Sequence, residues 1–150
     1  MTTSRPVLIG LIDPTGFDPD WALVPTGKGS TGDRILKILN TKVMVSREEY
    51  LTRFQRFNLR SRPRMTAGMI LQRAQVLTQQ LQGRSVVLLG EDVRKAFGHP
   101  VLKVDPYDHD GIRWYQIPHP SGLTRWYNNA DNRERVATLL AELYRVKLDV

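Results

Sequence analysis

A chain of 150 residues with 41% apolar content is long enough to bury one substantial core, and nothing in its composition argues for a second domain. Cysteine is absent, which excludes disulfides, thiolate-ligated zinc and iron-sulfur clusters. A net charge of +7 favours an anionic partner such as nucleic acid, and no apolar run is long enough to span a bilayer. The first apolar run has strand length and lacks the basic flank and small-residue cleavage site of a signal peptide, so a cytosolic setting, bacterial or viral-host, is expected.

Residues 7 to 12 are a continuous apolar run stopped by Asp13-Pro14-Thr15-Gly16, which predicts a strand buried on both faces and then a turn. After a loop rich in Gly and Pro, Ser30-Thr31-Gly32-Asp33 and Ser46-Arg47-Glu48-Glu49 read as capping boxes that open two short helices. Residues 57 to 59 form a weak second strand, and Thr66 caps a helix that runs to about Gln82. Residues 85 to 89 make a third strand ending at Gly90, followed by a short helix at 91 to 97 that closes at Gly98. Residues 112 to 117 predict the fourth main strand, with 101 to 104 pairing as an edge and His109 in a polar turn. The last helix, about 131 to 147, places Val136, Leu139, Leu140 and Leu143 on one face. Strands separated by helices imply parallel pairing, so the expected fold is a single α/β domain: a three-layer α/β/α sandwich around a mostly parallel four-stranded sheet.

In open parallel sheets the ligand crevice lies beyond the carboxyl ends of the strands. Asp13, Asn58, Gly90 and His119 each follow or end a predicted strand, so an acid, an amide and an imidazole are expected at one rim. Gly27-Lys28-Gly29-Ser30-Thr31-Gly32 has the spacing of a dinucleotide fingerprint, but it begins too far after the first strand, and Glu48 and Glu49 fall in a helix. A phosphate grip by Lys28, Gly29 and Ser30 remains open. His99, His109 and His119 lack the helical spacing of a metal pair, and neither a metal nor a cofactor is expected.

Several stretches resemble the uracil-DNA glycosylase superfamily, in the family order and over most of the chain. His119-Pro120-Ser121-Gly122-Leu123 looks like its second active-site motif, and Leu11-Ile12-Asp13-Pro14-Thr15-Gly16 is similar to its first. Gly32-Asp33-Arg34-Ile35-Leu36-Lys37 is similar to the helix start of the mismatch-specific branch. Asn58-Leu59-Arg60-Ser61-Arg62-Pro63 and the VVLLGEDVRKAFG stretch look like segments of the iron-sulfur branch, although Ser61 stands where a cluster cysteine would fall. Other departures concern the base pocket. Leu11 replaces a frequent glycine, and the stacking Phe of the family falls near Pro25 and Thr26, so Trp21 or Phe17 would have to stack. Thr15 stands where one branch has a Tyr that excludes the thymine methyl, which leaves room for a C5 substituent.

The resemblance implies a monofunctional DNA glycosylase acting on uracil or a modified pyrimidine and leaving an abasic site. His119 would donate to the departing base, Asp13 would orient water and stabilise the sugar cation, and Asn58 would read the base edge. Leu123 would wedge into the vacated stack, with Ser121, Gly122, Arg125, Lys28, Gly29, Ser30 and Arg34 on the phosphate backbone. The expected partner is DNA bound by a monomer. Two other readings stay open: a DNA- or base-binding module of the same fold without catalysis, and a small nucleotide-binding enzyme built on the Gly-rich loop.

Overall fold

Strand β1 (Val7–Gly10) is buried along its whole length and pairs in parallel with β2 (Gln55–Asn58) on one side and β3 (Ser85–Leu89) on the other. The computed structural model in which these pairings are seen describes residues 5–12, 18–27, 29–103, 105–120 and 125–145. An unbroken apolar run is what a strand flanked on both edges and both faces requires. Period-two alternation divides its side chains between two clusters. Leu8 packs with Ile35, Leu39, Tyr50, Phe54 and Leu140, whereas Val7 and Ile9 pack with Ala74, Leu77, Val93 and Trp114.

Those clusters assign the helices to faces. Helices α1 (Thr31–Leu39), α2 (Arg47–Arg53) and α5 (Ala130–Tyr144) supply the first, while α3 (Ala67–Gln80) and α4 (Glu91–Ala96) supply the second. The fold is therefore α/β with helices on both sides of a mostly parallel sheet, an arrangement compatible with a three-layer sandwich. Both predicted capping boxes form, with the Ser30 and Ser46 hydroxyls accepting from the amides of Asp33 and Glu49. Val136, Leu139, Leu140 and Leu143 are buried on α5 as the periodicity predicts.

The sheet differs from expectation at one edge. Four strands run parallel, and a fifth, β4 (Tyr107–His109), lies antiparallel against β5 (Ile112–Ile117), giving the order β2-β1-β3-β5-β4. The expected edge at 101–104 is not a strand over residues 101–103, and Val104 lies outside the described residues. The physical reason lies in Asp110-Gly111, whose φ angles of 52° and 74° are the left-handed pair that a two-residue hairpin needs. His109 thus ends a strand, correcting the expectation of a turn residue, and Val101 stands 63% exposed.

This order fixes where a ligand can sit. After β1 the chain crosses to β2, then returns past β1 to β3 and onward to β5, so the winding reverses between β1 and β3. At such a switch point the loops leaving two neighbouring strands diverge to opposite faces and open a crevice at their carboxyl ends.

Candidate functional site at the carboxyl rim

Four parallel strands end level with one another at this rim. Gly10 is in register with Asn58, and Leu89 with Ile117, which puts Gly90 and His119 just beyond the sheet on adjacent strands. Two of the predicted polar residues are thereby brought to the same end of the sheet, each beside a glycine. A Cβ on Gly10 would come within 2.9 Å of Asn58 Oδ1, and a Cβ on Gly90 within 3.2 Å of His119 Cβ. Gly90 also has φ of +96°, a conformation that side chains strain to adopt. Each glycine leaves the space its polar neighbour occupies.

Asn58 is held by its backbone. Its carbonyl accepts from Arg73 Nε at 3.3 Å and Nη2 at 3.1 Å, while the amide of Leu59 donates to Gly10 O at 2.9 Å and extends the ladder beyond the strand end. The side-chain Oδ1 is buried and has no hydrogen-bond partner among the described residues. Leaving such an acceptor unpaired costs roughly 1–3 kcal/mol, so its position calls for a donor.

His119 follows the buried end of β5, and its Nε2 lies 3.4 Å from the hydroxyl of Thr31, the first residue of α1. Partial desolvation, with a smaller contribution from the nearby positive charge of Arg34, holds its pKa below the ordinary histidine value. The imidazole is therefore neutral at pH 7, with one nitrogen able to donate and the other to accept. The segment that carries it is pinned by Tyr127, whose hydroxyl donates to Pro118 O at 2.6 Å. Beside His119 lies a cleft of about 400 Å³ that is also lined by Gly90, Arg94, Gln116 and Trp126.

The Gly-rich loop turns in on its own carboxylate. Asp33 Oδ1 accepts from the Gly27 amide at 2.9 Å, and Oδ2 accepts from the Ser30 amide at 2.8 Å and the Ser30 hydroxyl at 3.0 Å. Burial alone would raise the Asp33 pKa, but these donors, with Thr26, outweigh it and hold the carboxyl at about 2. The amides of Gly27 and Ser30, which the sequence offered to a phosphate, already serve an internal anion. Because the folded pKa lies below the unfolded one, this stabilisation is complete above about pH 4 and is lost as the pH falls toward 2. Asp33→Asn should lower stability by about 1 kcal/mol near pH 7, the shift being discounted because the carboxyl is largely solvated. Urea midpoints compared at about pH 7 and about pH 2 check this: the gap between wild type and variant should close in acid.

The other predicted residues are placed as follows. Trp21 ends a 3-10 turn (Pro19–Trp21) and is 49% exposed, leaving its indole free to stack. Gly29 has φ of +79°, Arg34 is exposed on α1, and Arg125 opens a second 3-10 turn (Arg125–Asn128). Asp13, Thr15, Phe17, Lys28, Ser121, Gly122 and Leu123 lie outside the described residues. Thr31, Gly10, Arg73 and Tyr127 were missed by the sequence reading. Only Thr31 carried a usable signal, since a capped helix that starts at a strand's carboxyl rim directs its first residue toward the crevice.

No protein-family model matches the chain, and no curated protein matches it.

Proposed function

We propose that the chain is a monofunctional DNA glycosylase with a three-layer uracil-DNA glycosylase-like fold, releasing uracil or a modified pyrimidine by hydrolysis of the N-glycosidic bond. The observation that carries the reading is what stands at the sheet's carboxyl rim: a neutral His119 seated on Gly90 two residues past the end of β5, and, with β1 and β3 between them, an Asn58 at the end of β2 whose buried Oδ1 lacks a donor among the described residues.

Breaking the bond builds negative charge on the leaving base and positive charge on the sugar. His119 donates to a carbonyl oxygen of the base and stabilises the leaving anion without itself needing to ionise. The orphan oxygen of Asn58 accepts the imide N–H that a uracil-type base presents, and its amide nitrogen can donate to the adjacent carbonyl. Asp13, three residues after the end of β1, orients the attacking water and faces the developing sugar cation. Trp21 or Phe17 stacks on the base, and Thr15 leaves space at C5. Leu123 fills the gap in the duplex, while Lys28, Gly29, Arg34, Ser121, Gly122 and Arg125 contact the strand and Ser30, spent on Asp33, does not. Lysine is absent from both motifs, so no Schiff base forms and the product is an intact abasic site.

The test is incubation of duplex and single-stranded oligonucleotides carrying uracil or 5-substituted uracils, followed by alkaline cleavage at abasic sites. Strand scission at the modified base, dependent on alkali, is expected. Tight DNA binding with no scission on any substrate would replace the enzyme with a binding module.

A further inference from the structure

A second concave surface lies on the α1/α5 side of His119. It is a groove of about 510 Å³ whose walls include Arg34 and Lys37 from α1, Arg133 from α5, and Pro120 and Tyr127 from the segments between β5 and α5. Its charge is one-sided. Arg34 and Lys37 have no carboxylate partner among the described residues. Arg133 spends one guanidinium N–H on Tyr127 O at 2.7 Å, which fixes it in place and leaves other donors free. The one acid on the wall, Glu134, is neutralised by an ion pair with Lys42. A concave site whose walls carry Arg34, Lys37 and Arg133, in a chain of net charge +7, is complementary in charge to a polyanion.

We propose that this groove is the track for the sugar-phosphate backbone of the DNA strand that runs past His119. Pro120 is both the groove's wall and the residue after His119, so a strand delivering a nucleotide to the imidazole continues along α1 and α5. Tyr127 couples the two places, because it lines the groove while its hydroxyl holds Pro118. Identifying the polyanion as DNA rests on the glycosylase reading; the groove's affinity for a phosphodiester chain does not.

Fluorescence anisotropy with a labelled oligonucleotide of ordinary bases separates the two ideas, since it needs no base release. Lys37→Ala and Arg133→Ala, both at exposed helix positions, should each weaken binding up to about fivefold at low salt. Each should also lower the slope of log K against log salt by about 0.9 on duplex, or about 0.7 on single strands. The double variant should lose about tenfold or more, equally for unrelated sequences, whereas Lys95→Ala on the α4 side should leave affinity and slope unchanged. Urea midpoints verify that the variants are folded, and the charge reversal Lys37→Glu should weaken binding beyond Lys37→Ala. A double variant with wild-type affinity and slope overturns the track even if base release is observed. Groove-dependent binding without base release keeps the track and overturns the glycosylase, and no DNA binding by the wild type overturns both.

Discussion

His119→Ala is expected to lower the single-turnover rate of base release by about 100- to 1,000-fold while leaving the chain folded. In the proposed mechanism the magnitude follows from removing one donor aimed at an oxygen that becomes anionic, a loss on the order of 3–4 kcal/mol. Folding should tolerate the change, because the imidazole stands beyond the sheet on an exposed residue and packs into neither core cluster. Acid titration provides a second signature. With the pKa held below the ordinary value by desolvation and by Arg34, the neutral imidazole predominates through the physiological range. The wild-type rate should therefore stay level as the pH falls to about 6.5, the unperturbed value, and decline only below it. The variant's residual rate should lack that decline. Equal rates in wild type and His119→Ala would remove the histidine from the chemistry.

The elements were legible where local forces decide them. Ser30 and Ser46 cap their helices because a hydroxyl, an acid three residues on and an apolar face act within one turn of chain. The strand at Ser85–Leu89 could be read because four consecutive apolar residues, Val86 to Leu89, supply both core clusters in alternation. Longer-range choices were not legible. The apolar 101–104 stretch competes with Tyr107–His109 for the free edge of β5, and the Asp110-Gly111 turn decides the outcome by placing β4 two residues from its partner. The rim shows a similar division. Asn58 and His119 are found from strand ends alone, but Gly10 and Gly90 acquire their meaning only from cross-strand register, which one sequence does not encode locally. The Gly-rich loop misleads in the opposite direction: its pattern suits an external phosphate, and Asp33, three residues past the cap, supplies the anion from within.

Gly32→Ala should be the most damaging small substitution in the site's scaffold, lowering stability by about 3 kcal/mol, the upper range for overpacking a core. An added Cβ would meet Leu23 O at 2.3 Å, Val24 C at 2.6 Å and Leu23 C at 2.7 Å, all main-chain atoms that cannot rotate away. Nor can the opposing segment retreat easily. Leu23 already holds φ of 55°, and its carbonyl accepts from the fully buried Tyr50 hydroxyl at 2.9 Å. Helix propensity opposes the loss, since alanine is favoured over glycine by up to about 1 kcal/mol, but that is smaller than the cost of the overlap. Gly68→Ala isolates the propensity effect. It lies exposed near the start of α3, where the nearest atom to an added Cβ is Thr66 Oγ1 at 3.9 Å, and there the same change should stabilise by roughly 0.5–1 kcal/mol. Urea midpoints should thus move in opposite directions for two chemically identical substitutions, and a Gly32→Ala midpoint at or above wild type would refute the close approach. In protein that remains folded, relief of the clash must carry α1 away from residues 23 and 24. Thr31, the next residue toward the helix start, moves with it and loosens its 3.4 Å contact with His119, so the variant's rate of base release should fall along with its stability.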